Sequence, residues 1–207
     1  MGMLEAAPAR NEAFAGIDEH SARMASLVED LIVLARAENL RMATQDSPAS
    51  IIDLDSLVSR RVQHFDRAHP DHRLTVSIGG GTHEVEGDDS LLQTAVDHLL
   101  QNAVQHTPPG TEVCVRVSDD EDWVRVSVRD SGPGIPDHLG DTIFDRFTRA
   151  DSSRARTTGG SGLGLSVVRS VVESSGGDVE LTSHPEIGCE LTITFPAFQR
   201  NLTAEPT

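Results

Sequence analysis

Two glycine blocks, in a fixed order, have the residue types that hold an anion on backbone amides. The first is Asp130-Ser131-Gly132-Pro133-Gly134-Ile135-Pro136, at the end of a strand-like run. The second is Gly159-Gly160-Ser161-Gly162-Leu163-Gly164-Leu165, which runs straight into an apolar, periodic segment ending at Val172. Glycine lets amides approach a ligand with no Cβ in the way. A loop that opens a helix puts those amides at the helix N-terminus, where negative charge is stabilised. The acid ahead of the first block can accept from an exocyclic amine such as that of adenine. One acid, two flexible loops and one helix N-terminus therefore imply a nucleotide held at both ends. Asn102, set among Leu99, Leu100, Ala103 and Val104, is a third candidate. Its amide oxygen is a hard ligand suited to Mg²⁺, or the residue is a buried amide satisfied by backbone. An Asp-x-Gly-x-Gly alone is also a common turn.

Composition restricts how phosphate can be held. All 17 basic residues are arginine, so a Gly-x-x-x-x-Gly-Lys phosphate loop is absent. Phosphate contacts must come from amides and arginine. The net charge of −16 argues against a nucleic-acid or anionic-membrane partner for the chain as a whole. Cys114 and Cys189 match no metal or CxxC spacing and read as strand residues in a reducing compartment. No apolar run reaches the length of a membrane span.

The elements that must position these residues follow from periodicity. Residues 11 to 39 carry Phe14, Ile17, Met24, Leu27, Val28, Leu31, Leu34 and Ala35 at three- and four-residue spacing, with Glu29, Asp30, Arg36 and Glu38 on the other face. This long amphipathic helix requires a partner helix for its stripe. A polar linker over 44–50 follows. Leu54 to Phe65 predicts a helix and Arg73 to Ile78 a strand. Asp88 or Asp89 caps a helix facing inward with Leu92, Val96, Leu99 and Ala103. Val113 to Val117 and Trp123 to Val128 predict a hairpin. A helix to about Ser174 and two strands complete the order. Hairpins dominate, which predicts an α+β two-layer sandwich: a mixed, mostly antiparallel sheet with helices on one face, not a doubly wound parallel sheet. Ile143-Phe144-Asp145-Arg146-Phe147 reads as an apolar anchor. The polar stretch Thr148 to Thr158, with Arg149, Arg154 and Arg156, reads as a lid or as a solvated loop.

Taken together, Asn102 with Thr107-Pro108, the Asp130 block, the Phe144–Phe147 anchor and the Gly159–Leu165 block resemble the N, G1, F and G2 boxes of the histidine-kinase ATP-binding domain. This Bergerat-type fold is shared with Hsp90-, gyrase- and MutL-like ATPases, and the resemblance covers roughly Ile51 to Pro196. It implies that Asn102 coordinates Mg²⁺ and that Asp130 reads the adenine amine beside Gly132, Gly134 and Ile135. It implies that Phe144 and Phe147 anchor the lid and that Arg149 and Arg154 approach the phosphates. It implies that Gly160, Ser161, Gly162, Leu163, Gly164 and Leu165 form the phosphate loop and that His106 packs near adenine. The family usually has a second asparagine where this chain has His98, whose imidazole can support Mg²⁺ or water. It often has a basic residue where this chain has Gln105.

The N-terminal helix resembles the second helix of the kinase dimerisation and phosphoacceptor hairpin. That implies four parts: a partial dimerisation region at 1–43, the linker at 44–50, an ATP-binding catalytic domain at 51–200 and a tail at 201–207. No histidine here has the following acid and proline of an acceptor. His20 is followed by Ser21-Ala22-Arg23, and His64, His69 and His72 read as solvated surface. The expectation is a cytoplasmic catalytic part using ATP and Mg²⁺, with any membrane anchor in other segments. It donates the γ-phosphoryl to a histidine outside this chain and thence to a response regulator receiver domain. The N-terminal helix would form a homodimer, and the chain alone would not autophosphorylate. Two other readings are an Hsp90/MutL-type ATPase and a nucleotide-dependent interaction module. The first needs a general-base acid near Asn102. Asp97, five residues earlier, points about 140° away around the helix.

Overall fold

Alternation along the strands decides the layering. Val113, Val115 and Val117, then Val124, Val126 and Val128, then Leu191, Ile193 and Phe195 are buried, while the residues between them face outward. A sheet with one apolar face is covered on that face only. In the computed structural model the described residues are 6–42, 50–120, 122–136, 139–148, 161–184 and 187–199, with the backbone alone for 6–19 and 141. They run in the order α1 (Ala6–Met42), β1 (Ser50–Asp53), α2 (Leu54–Ala68), β2 (Arg73–Ile78), β3 (Glu84–Gly87) and α3 (Asp89–Gln105). The hairpin β4 (Glu112–Asp119) and β5 (Trp123–Asp130) follows, then a short 3-10 turn Gly140–Phe144, α4 (Gly164–Ser174), β6 (Asp178–His184) and β7 (Gly188–Pro196).

Five strands form one sheet in the order β2-β4-β5-β7-β6. Only the β2–β4 pairing is parallel, and the other three are antiparallel. With α2, α3 and α4 on the buried face, this is the expected two-layer α+β sandwich. The sequence reading missed one element. Ser50–Asp53, expected to lie in or beside the linker, is a strand that pairs antiparallel with β3. Its four residues are too few for period-two alternation to register.

Asp53 ends that strand and caps α2, accepting from the Asp55 and Ser56 amides, and the Ser56 hydroxyl donates to it at 2.6 Å. The Ser56 hydrogen bond, more than any other contact, holds the Asp53 carboxyl below its ordinary 3.8. A depressed value means that the cap stabilises the fold above the unfolded pKa and that this contribution is lost as pH falls through the folded one. Asp53→Ala should therefore lower stability in urea by about 1 kcal/mol at neutral pH, and the gap from wild type should close in acid. A gap that persists below pH 3 would contradict this.

His83 occupies the junction of β3 with its neighbours and is fully buried. Its Nδ1 lies 2.7 Å from Asp55 and its Nε2 3.4 Å from Asp119. It ties the strand pair β1–β3 to the start of α2 and the end of β4.

The packing of α1 differs from the expectation. Its stripe does not wait wholly for a second chain, because Leu34 and Ala37 are buried, with Leu27 half-buried, and α4 is the element α1 packs against. Met24, Val28 and Leu31, on the adjacent side, are at least half exposed. Phe14 and Ile17 of the expected stripe lie outside the described side chains. The polar face was also misread in part, since Asp30 is only 4% exposed. It falls between Leu27 and Leu34 at spacings of three and four, inside the buried strip.

Candidate nucleotide-binding site

Helix α3 forms one wall of the site. His98, Asn102 and His106 recur every four residues and so share one strip, about 12 Å long from end to end. At its N-terminal end the strip meets the second glycine block. The position a Cβ would take on Gly164 lies 3.1 Å from His98 Nδ1, so Gly164 lets α4 start against that ring. At its other end it meets the first block. Gln105, His106, Thr107, Pro108, Ser131, Gly132 and Pro133 line a cleft of about 460 Å³. Asn102 sits between the two ends and is half-buried. It is not the deeply buried amide that its apolar neighbours suggested. Among the described residues its side-chain amide has no hydrogen-bond partner.

Asp130 ends β5 next to Gly132 of the cleft lining and is 7% exposed. One oxygen accepts from the Gly132 amide at 2.8 Å, and a carboxylate has capacity for further donors. Burial pushes its pKa above the ordinary 3.8, and hydrogen bonds from the Gly132 and Cys189 amides, with the nearby His106, only partly offset this. Gly132 lies against Thr107, whose methyl would be 2.6 Å from a Cβ. The Thr107 hydroxyl donates to Ala103 O at 2.7 Å and meets His72 Nε2 at 3.1 Å. Thr107 lines the cleft, as its place beside Asn102 in the resemblance implies, whereas His72, expected on the solvated surface, is half-buried against the Thr107 hydroxyl because the turn after α3 brings them together. Gly134 and Ile135 lean the other way, toward β6, and the Ile135 amide donates to Ser183 Oγ at 2.7 Å. Cys189, on the strand beside Asp130, is buried. Desolvation, with Asp130 and Glu190 near it, pushes its thiol up to about 12, so it stays neutral.

The other end of the strip meets the start of α4. No side chain caps this helix through Leu163, and its first turn has no acidic residue. Its leading amides are therefore the open donors that anions use. Leu163 is fully buried and Leu165 half-buried, fixing the helix on the core. Ser161 Oγ accepts from the Leu163 amide at 3.1 Å. Gly162, at φ +72°, passes within 3.0 Å of the Phe147 backbone measured from its would-be Cβ, and its carbonyl accepts from the Phe147 amide at 2.8 Å.

The aromatic pair divides. Phe144 is buried and carries the Arg169 guanidinium 4.5 Å over its ring. Phe147 is 67% exposed and adopts φ +65°, a conformation a bulky residue rarely holds. Only Phe144 is an anchor here. Such strain concentrates at functional sites. Arg149, Arg154, Arg156 and Gly160 lie outside the described residues. His98, expected beside the metal, has Nε2 3.0 Å from the Asp30 carboxylate.

Asp97 turns away from the strip. Arg61 of α2 donates to both its oxygens at 2.5 and 2.9 Å. Among the described residues no three His, Cys, Asp or Glu converge as a metal site.

This fold and cleft define a class: the chain belongs to the family of histidine kinase-, DNA gyrase B- and HSP90-like ATPases, which matches over residues 87–199. Within that family it carries the catalytic ATP-binding domain of the sensor histidine kinases. It is 33% identical over 179 residues to the sensor-like histidine kinase SenX3 of Mycolicibacterium smegmatis, covering 86% of this chain and 46% of that protein. It is 36% identical over 173 residues to the probable sensor histidine kinase TcrY of Mycobacterium tuberculosis, covering 84% and 36%. The chain thus spans less than half the length of these relatives. Among solved structures, the mycobacterial sensor histidine kinase MprB superposes with a TM-score of 0.63 at 30% identity, covering 72% of this chain and 98% of that one.

Proposed function

We propose that this chain lays Mg·ATP along α3 and presents its γ-phosphoryl to a histidine imidazole outside this chain, from which the group passes to an aspartate of a response regulator receiver domain. The observation that carries the reading is the strip His98–Asn102–His106, which runs from the uncapped start of α4 to the cleft at Asp130. Asp130 accepts from the adenine amine, His106 packs beside the base, and the amides after Gly162 hold the phosphates. Phosphoryl transfer asks a protein for positioning and charge neutralisation more than for covalent chemistry. Mg²⁺ fits Asn102, a half-buried oxygen donor with no partner among the described residues, because this ion takes one or two protein oxygens and fills its shell with water and phosphate. Bound there, it would neutralise phosphate charge.

The exposed Met24, Val28 and Leu31 support a homodimer through α1, in the manner of a helix bundle. Among the described residues no helix is long and apolar enough to cross a membrane. We place the reaction on the cytoplasmic side. The Hsp90/MutL-type alternative is disfavoured by Asp97, whose oxygens are both taken by Arg61.

Incubation with γ-labelled ATP tests the proposal. The chain alone should gain no acid-labile phosphate. Adding a polypeptide with a dimerisation hairpin bearing a His-acid pair and a following proline should place label on that histidine. Acid-labile phosphate on this chain alone, or steady turnover abolished by Asp97→Asn, would overturn it.

A further inference from the structure

Helix α1 reaches the nucleotide site through one side chain. Asp30 is buried, and its two oxygens are spent on two parts of that site: Oδ1 lies 3.0 Å from His98 Nε2, and Oδ2 accepts from the Ser161 hydroxyl at 3.3 Å. Ser161 in turn accepts from the Leu163 amide at the mouth of α4, and His98 lies against Gly164. A carboxylate therefore stands beside the helix N-terminus that the phosphates would use. Other polar contacts hold the same docking: Arg36 pairs with Asp88, the cap of α3, Glu38 pairs with Arg146, and Arg41 meets Glu173 at 2.7 Å.

We propose that Asp30 is a positioning residue that couples α1 docking to the phosphate end of the site, so that a docked α1 and a bound nucleoside triphosphate oppose each other. The reasoning is electrostatic. A carboxylate near an incoming polyphosphate, in a partly water-excluded site, is a like-charge contact that water screens weakly. The phosphates and Asp30 also compete for Ser161 and for the field at the start of α4. By linkage, docking weakens triphosphate binding by the same factor by which bound triphosphate weakens docking, so loosening the docking raises triphosphate affinity by up to that factor. Nucleotide loading would thereby release the face of α1 that holds Leu34 and Ala37. This rests on the site binding ATP, as proposed above.

The test uses the whole 207-residue chain. Calorimetry with Mg·ATP and with adenosine compares wild type with Asp30→Asn and with Leu34→Gln, which loosens the same docking from its apolar side. Both variants should bind ATP at least about fivefold more tightly, the low end of ordinary coupling, with adenosine affinity unchanged. Hydrogen exchange in wild type should quicken over residues 27–37 on adding ATP but not adenosine. ATP affinity that is equal or weaker in both variants, or exchange slowed by ATP, overturns the coupling while leaving the nucleotide reading intact. Absence of ATP binding in every chain overturns both. A merely structural role for Asp30 would lower stability and leave the ATP-to-adenosine ratio where it was.

Discussion

Asp130→Asn should weaken ATP binding by about ten- to a hundredfold, the equivalent of one lost charge-assisted hydrogen bond, while the nucleotide-free protein becomes no less stable. The two halves have one cause. Burial raises the Asp130 pKa, so the folded state disfavours the very charge the ligand uses. For an acid raised on folding, stability is fullest below the unfolded pKa and declines as pH rises through the folded one. At neutral pH the ionised carboxylate is therefore a net burden on the empty fold. Asparagine removes that charge and its oxygen can still accept from the Gly132 amide. It cannot offer the adenine amine an ionised acceptor, and its own NH₂ presents a donor to a donor. The preference for ATP over GTP should shrink with it, because a site built to receive an N–H rejects the analogue that lacks it. In wild type, ATP affinity should fall on acidification as pH descends through the raised value. Calorimetry for binding and a urea titration for stability check both halves. An Asp130→Asn protein that binds ATP normally, or unfolds more easily, would count against this account of the cleft.

Asn102→Ala should weaken phosphoryl transfer at a fixed low Mg²⁺ concentration by at least about tenfold and leave the Mg²⁺-free binding of nucleotide nearly intact. Asn102 is the one residue on the α3 strip that faces neither end of the site. His98 is held by Asp30 and His106 lines the cleft. Loss of an outer partner of a bound metal commonly costs 10–100-fold in metal affinity, and loss of a direct ligand costs at least as much. Mg²⁺ dependence should therefore move to concentrations at least about tenfold higher. The truncation should cost little stability, since the amide holds no other described group. Titrating Mg²⁺ at fixed ATP, with phosphate transfer to an acceptor hairpin as the readout, and measuring ATP binding in chelator, separates the effects. Equal losses with and without Mg²⁺ would assign Asn102 to packing instead.

Much of this was legible in the chain, for identifiable reasons. Strands with one buried face announce themselves by alternation, and Val113 to Val128 did so plainly. The turns at Gly132–Gly134 and Gly162–Gly164 are readable because glycines at fixed offsets state a local geometry. What escaped depends on contacts distant in sequence. Strand β1 is too short to show a period, and its partner β3 lies more than thirty residues away. Asp30 is expected on the wet face of α1 because acids usually face water, yet its spacing from Leu27 and Leu34 places it within the buried strip. His72 meets the Thr107 hydroxyl only through the turn after α3. Phe147 was expected to anchor beside Phe144, and nothing in the sequence signals that its backbone is held at positive φ by the carbonyl of Gly162.

The central claim is that one nucleotide spans α3, with its base at Asp130 and its phosphates at the start of α4. Amide chemical shifts, followed during titration with adenosine and then with Mg·ATP, test it most directly. Adenosine should perturb His106, Thr107 and Gly132 alone, and Mg·ATP should add Gly162, Gly164 and Leu165. Perturbation by Mg·ATP that leaves either end untouched, or that falls on the outer face of the sheet, would contradict the account.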